Sequence, residues 1–375
     1  MAKKYYSLDK ILEANAQWDM IIGERSNGKS HAVKEYVIKN VYNGKGTFVF
    51  LRRLDSDVKT SNVNSYFCDI DIGKLTNGRW NGVKYWQGRF YFIKSEYDFE
   101  TDKVNEEKSP EAIGYAMALN VAERYKSLVY EDVTSIIFEE FMSRKSELPN
   151  EPMELQQLVS TVFRDRDGKV FMIGNTVSPI SSYFTEWGLD KVYNQQPGTI
   201  DVYTYTGFDA DGKERVTRFA VEYCSSSGSQ STMIFGKARE SVMEGAWECR
   251  KHPLLYEEIQ RGNADTMDDP RAKTIEPEVC YSVLIAEKMA SFVMQLRVWD
   301  DGRMFLYVYP YTGKTFYDRV LTSEFSSDNL TSRYLRDTIQ VERLMKRLYY
   351  EHKVCYSTNL TGDNFEKVME TRGGI

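Results

Sequence analysis

Gly23-Glu24-Arg25-Ser26-Asn27-Gly28-Lys29-Ser30 matches the pattern G-x-x-x-x-G-K-S, the loop with which one large class of α/β domains cradles phosphate. Its surroundings fit that pattern. Trp18-Asp19-Met20-Ile21-Ile22 before it is a short apolar run of strand type, and His31 to Val41 after it carries Val33, Tyr36, Val37 and Val41 at helical spacing. Strand, glycine loop and helix thus follow in the order a phosphate site needs. The glycines let successive N–H groups face inward, and the helix N-terminus adds positive potential. Lys29 is expected to reach the β and γ phosphates and Ser30 to ligate Mg²⁺. Gly23, Arg25, Ser26, Asn27, Gly28, Lys29 and Ser30 are the expected nucleotide-binding set.

A phosphate loop needs an acidic companion at the carboxyl end of a nearby parallel strand. Ser135-Ile136-Ile137-Phe138-Glu139-Glu140-Phe141 supplies one, an apolar run ending in two carboxylates. One acid is expected in the magnesium shell and the other on the attacking water. Thr47-Phe48-Val49-Phe50-Leu51 is apolar on both faces, as strands inside parallel sheets are, and Arg52 and Arg53 close it. Lys169-Val170-Phe171-Met172-Ile173 ends at Gly174-Asn175-Thr176, which puts the Asn175 amide where a γ-phosphate sensor sits. Between them, Met153 to Phe163 has helical spacing and runs into Arg164-Asp165-Arg166. A cation there has two readings: simple pairing with a helix C-terminus, or an arginine finger for a neighbour's γ-phosphate.

The chain has 375 residues, 42% hydrophobic and 28% charged, enough for two or three domains with a substantial core. Its net charge of −6 argues against a surface coated in nucleic acid but leaves room for a local basic groove. The start, MAKKYYSLDK, lacks an apolar signal core, and no run approaches the roughly 20 apolar residues of a membrane span. A cytosolic protein is expected. The five cysteines form no C-x-x-C pair and read as reduced thiols, and the three histidines read as ordinary surface or packing residues.

Elsewhere, Tyr5 to Ala14 reads as a short edge helix starting near Ser7 or Asp9, Arg89 to Lys94 as a strand, residues 97 to 110 as an exposed acidic loop, and Pro110 to about Tyr125 as a helix with Lys126 just beyond. After Pro197-Gly198 the pattern turns to strands (Thr199 to Thr206, Val216 to Cys224), followed by the linker-like Ser225-Ser226-Ser227-Gly228-Ser229-Gln230-Ser231 and a mostly helical stretch from Gly236 to Arg261. From Pro277, strands at Cys280 to Ala286, Phe292 to Trp299 and Met304 to Tyr309 precede a helix over Ser332 to Tyr350. That helix turns Leu335, Ile339, Met345 and Leu348 inward and Arg336, Gln340, Arg343 and Arg347 outward. Asp300-Asp301-Gly302-Arg303 reads as a hairpin turn. The expected division is 1–197, a P-loop α/β domain with a parallel sheet flanked by helices; 198–275, a small connecting domain; and 276–375, a third unit.

The segments FLRR, KSLVYEDVTSIIFEEF, TVFRDR and GNTVSPISSYF, taken with the loop, resemble the DNA-packaging ATPases of small short-tailed bacteriophages with protein-capped genomes, a terminase-like branch of the ring-forming P-loop (ASCE) motors. The resemblance covers most of the first 197 residues. It implies ATP and Mg²⁺ as cofactors, phosphate and magnesium on Lys29 and Ser30, Glu140 as catalytic acid and Asn175 in the coupling segment. It further implies that Arg164 acts in trans as the finger and that Lys126 reaches a neighbour's nucleotide. The family usually has Asp where this chain has Glu139, one methylene longer. The third unit is weakly similar to a ribonuclease-H-type α+β nuclease fold, expected here to be vestigial and to serve binding. The implied partners are double-stranded DNA, the portal (connector) of the procapsid, neighbouring copies in a ring, as a pentamer, and in some relatives a structural packaging RNA, all in the host cytoplasm. Two other classes fit the loop: a small-molecule P-loop kinase, and a nucleic-acid-binding structural protein with an inactive ATP site.

Overall fold

The computed structural model describes residues 5–59, 63–100, 102–126, 129–130, 132–142, 147–164, 166–176, 180–189, 191–192, 195–208, 212–224, 250–262, 276–287, 290–322 and 339–371. In chain order its elements are α1 (Asp9–Glu13), β1 (Trp18–Gly23), α2 (Lys29–Tyr42), β2 (Thr47–Arg52), α3 (Ile72–Leu75), β3 (Gly82–Trp86), β4 (Arg89–Asp98), β5 (Lys103–Lys108), β6 (Gly114–Ala118), β7 (Val133–Glu139), α4 (Glu151–Phe163), β8 (Lys169–Asn175), α5 (Ser182–Glu186), β9 (Thr199–Phe208) and β10 (Glu214–Tyr223). Then follow α6 (Leu255–Gly262), β11 (Glu278–Ala286), β12 (Ser291–Val298), β13 (Met304–Pro310), β14 (Arg319–Leu321), α7 (Gln340–Tyr350), β15 (Val354–Tyr356) and α8 (Asn359–Thr371). The chain divides into two compact units, one of residues 1–143, 148–177 and 186–246, the other of 144–147, 178–185 and 247–375.

The first unit is built on a ten-stranded sheet of order β3-β4-β6-β2-β7-β8-β1-β10-β9, with β5 paired to β4. Its centre, β6-β2-β7-β8-β1-β10, is wholly parallel. The sequence explains why. Ile136, Ile137 and Phe138 of β7 and Phe48, Val49 and Leu51 of β2 are fully buried, as strands covered on both faces must be. Each such side chain contributes about 1.5–3 kcal/mol on leaving water. Because the strands run the same way, the carboxyl ends of β1, β7 and β8 meet at one edge: Gly23 is level with Asn175, and Glu139 with Ile173. One strand, β8, separates the loop strand from the acidic strand.

Three expectations need correcting. Residues 114–118 form β6 rather than part of a helix, and Leu119–Tyr125 is a 3₁₀ turn. Gly114 lies so close to the Phe48 ring that a Cβ there would meet Cε1 at 2.5 Å, so this strand slots in beside β2 because glycine leaves room for the ring. Residues 103–108 are a strand, not loop, although every one of them is exposed as expected. The third correction concerns domains. β9 and β10 do not begin a separate connecting domain; β10 pairs in parallel with β1, Trp18 level with Phe219, and extends the first sheet. The linker-like residues 225–231 and the stretch 236–249 lie outside the described residues, as do 332–338, so the helix expected over 332–350 is described from Gln340 as α7, with Met345 and Leu348 buried but Ile339 exposed.

The second unit has a five-stranded sheet of order β14-β11-β12-β13-β15. β12 and β13 join in a hairpin whose turn holds Asp300 and Asp301, and Arg303 Nε donates to Asp301 Oδ2 at 2.6 Å. At the other side a clamp ties residues 250–254 to α8. Arg250 donates through N and Nε to Asp363 (2.7 and 2.8 Å) and through Nη2 to Glu366 (2.7 Å), while His252 Nε2 lies 2.9 Å from Asp363 Oδ1. Burial opposes the Asp363 charge, but the bonds from His252 and Arg250 outweigh it and hold its carboxyl below the ordinary value. A depressed carboxylate contributes stability above its unfolded pKa and loses it as pH falls through the folded one. Asp363→Ala should therefore cost about 2 kcal/mol at neutral pH, a cost that shrinks in strong acid, read by thermal unfolding at both pH values.

Candidate nucleotide site

The loop between β1 and α2 turns through two left-handed residues, Ser26 (φ 57°) and Gly28 (φ 95°). The second is where glycine is needed, since a residue with a side chain rarely adopts a φ of 95°. The first turn of α2 follows with its amides at the loop, that of Lys29 donating to Asn27 Oδ1 at 3.3 Å. Around it opens a cleft of ≈ 860 Å³ lined by Arg25 to Ser30 from the loop and by Glu139, Glu140 and Asn175 from the ends of β7 and β8.

Lys29 is 4% exposed. Its ammonium donates to Gly23 O (3.1 Å), Glu24 O (2.5 Å), Asn27 Oδ1 (3.1 Å) and Asn175 Oδ1 (3.3 Å). Asn27 is itself buried and donates to Cys224 Sγ at 3.0 Å, just past β10. The phosphate-loop cation and the amide expected to act as sensor therefore touch.

The two acids have opposite settings. Glu139, 6% exposed, accepts from Ser30 Oγ (3.0 Å) through one oxygen and from Tyr66 Oη (2.9 Å) through the other. Burial raises its pKa; the bonds from Tyr66 and Ser30 oppose this. Glu140 is the next residue, off the strand in a left-handed conformation (φ 55°), with its side chain 62% exposed and Oε2 accepting from Arg52 Nη2 at 2.7 Å. A non-glycine residue held there is an uncommon geometry that clusters at functional sites. The neighbouring Arg53 grips buried Glu151 by two bonds (2.7 and 2.9 Å) and donates to Phe141 O, fixing the turn after β7. Of the two arginines that close β2, one meets the second acid and the other braces its loop.

Ser30 Oγ and Glu139 offer two oxygens on facing elements, the donor type a hard cation such as Mg²⁺ prefers. The residues present fit that ion. Among the described residues, no group of three or more His, Cys, Asp and Glu is placed to hold a metal.

Lys126 and Arg164 do not line this cleft. Arg164 caps α4 in an unusual backbone conformation (φ 52°, ψ −121°) and is exposed. Lys126 Nζ contacts Glu123 and donates to Gln157 Oε1 (3.4 Å) on the same helix. Met153, Gln157 and Ser160 are exposed along α4, and Arg164 is exposed just past its end. Sequence reasoning missed Tyr66 and the rim residue His31, whose Nδ1 lies 3.2 Å from Asp69 Oδ2. His31 directly follows the loop motif, the one signal that could have flagged it.

A parallel sheet, a glycine loop feeding a helix, and an acidic strand set one strand away from the loop strand define a P-loop nucleotide-binding domain of the additional-strand class. The pattern of the Podovirus DNA encapsidation protein (Gp16) family matches residues 1–204, and the chain belongs to that family. The DNA packaging protein of Bacillus phage phi29 is 25% identical over 304 residues, 72% of this chain and 81% of the relative. That of Bacillus phage B103 is 32% identical over 194 residues, 51% and 52% of the two chains. Among solved structures, a chain of the bacteriophage Phi-29 viral genome packaging motor assembly has the same fold, with a TM-score of 0.50 at 19% identity over 98% of both chains.

Proposed function

We propose that the chain is an ATPase that drives double-stranded DNA into the procapsid as a homomeric ring, a pentamer, docked on the portal, with ATP bound between subunits. The observation that carries this is the Ser30–Glu139 contact, which joins phosphate loop and acidic strand at one point of the cleft, in a chain whose family is defined by DNA encapsidation. The relatives' description as DNA packaging proteins, and the packaging-motor assembly that shares the fold, favour the same role.

In this scheme the loop amides and Lys29 hold the phosphates, and Ser30 and Glu139 hold Mg²⁺. An Mg²⁺ held by these two oxygens would supply positive charge to offset that of the phosphates. Glu140 takes the proton of the attacking water, and Asn175, touching Lys29, registers the state of the γ-phosphate. Arg164 and Lys126 serve the neighbour's site. The second unit acts as a vestigial nuclease-like module for DNA or portal binding; its exposed turn acid Asp301 already engages Arg303, and Asp363 and Glu366 engage Arg250 and His252. The working site is the host cytoplasm, at the procapsid, where a structural packaging RNA is a further candidate partner. No described helix is long and apolar enough to cross a membrane.

The test is ATP turnover at rising protein concentration, with and without duplex DNA. Turnover should rise more steeply than linearly with protein and increase on adding DNA. Linear, DNA-indifferent turnover would instead favour a monomeric P-loop kinase.

A further inference from the structure

We infer that Tyr66 is the positioning residue for the metal-shell acid, holding Glu139 so that its other oxygen faces Ser30. The inference rests on the metal site proposed above. Glu139 carries one methylene more than aspartate, and a longer carboxylate has an extra torsion to fix before it can serve as a ligand. Tyr66 supplies the missing constraint: its hydroxyl donates to Glu139 Oε1 at 2.9 Å, while Ser30 meets Oε2.

The phenol is itself rigidly mounted. Its ring lies 4.2 Å from Phe50 and 4.8 Å from Phe67, centre to centre. Val63, Phe67 and Ile70, all buried in the same core as Phe50, anchor the turn on either side. Beneath the ring, at 4.9 Å from its centroid, sits the ammonium of Lys34, 6% exposed. Lys34 donates to Tyr66 O (2.9 Å) and to Asp69. Lys34 is one turn beyond Ser30 on α2, so a single helix braces both hydroxyls that hold Glu139. This costs a buried cation, a large commitment for a turn without another role.

The test uses the full chain and a fluorescent, non-hydrolysable ATP analogue whose binding is titrated with Mg²⁺. Tyr66→Phe keeps the ring and its packing and removes only the hydroxyl. It should raise the half-saturating Mg²⁺ concentration about 10–100-fold, the usual effect of losing a group that orients a metal ligand, and leave analogue affinity without Mg²⁺ unchanged. In a Glu139→Asp background the shorter carboxylate falls short of the phenol, and Tyr66→Phe should then change the Mg²⁺ midpoint by less than about twofold, as expected for groups no longer coupled. An unchanged midpoint in the single variant, or an equal shift in both backgrounds, overturns the role of Tyr66 while leaving the metal site intact. Analogue binding by the parent chain that ignores Mg²⁺ overturns the metal site itself, and the positioning role with it.

Discussion

Replacing Glu140 by glutamine should slow ATP turnover by about 10²–10⁴-fold and leave nucleotide affinity near that of the parent chain. The expectation follows from the different positions of the two adjacent acids. Glu139 is buried and satisfied on both oxygens by hydroxyls, a setting suited to a ligand that stays still. Glu140 has left the strand, is solvent-accessible within the cleft, and is aimed by the Arg52 guanidinium. A group that must accept a proton from water needs that access; a metal ligand does not. Glutamine keeps the size and the bond from Arg52 but cannot take the proton. Glu139→Gln should instead weaken nucleotide binding chiefly when Mg²⁺ is present. Single-turnover hydrolysis and equilibrium binding, measured side by side, separate the two. If Glu139→Gln stops hydrolysis without touching Mg²⁺ dependence, the roles are reversed.

Why these two residues could be picked from sequence, while Tyr66 could not, is a matter of range. The loop, the acidic strand end and Asn175 are each signalled by neighbours within about ten residues: glycines beside a lysine, an Ile-Ile-Phe run before carboxylates, an apolar run before an amide. Parallel strands then bring their carboxyl ends together without further information, and Gly23, Glu139 and Asn175 meet accordingly. Tyr66 has no local pattern; it acts across 73 residues, from a turn in a polar stretch. β10 is legible as a strand, but the sheet it joins is hidden for the same reason. Its partner β1 lies about two hundred positions earlier, and no property of VTRFAVEYC by itself distinguishes a sixth parallel strand from the start of a new domain. β6 failed differently. Its composition, GYAMA, favours neither state strongly, and the pairing with β2, admitted by the absence of a side chain at Gly114, decided against helix.

Arg164→Ala should lower turnover of the assembled protein by about 10³-fold or more, the range seen when an arginine finger is lost, without weakening nucleotide binding by a comparable factor. Arg164 is exposed beyond the last turn of α4 and absent from the lining of its own chain's cleft. Lys126 reaches the same helix at Gln157, about two turns earlier. Two exposed cations that do not line their own chain's cleft are the residues that, under the proposed head-to-tail ring, would serve the triphosphate of an adjoining subunit. That geometry makes complementation the decisive measurement. An Arg164→Ala subunit retains Glu140, and a Glu140→Gln subunit retains its finger, so a mixed ring contains sites complete in both. A 1:1 mixture should regain activity at about a quarter of its sites, because each site depends on one neighbour only. A mixture as inactive as the two separate variants would move Arg164 out of the trans role. An Arg164→Ala defect of the same size in the dilute, unassembled chain would argue instead that the arginine acts within its own chain.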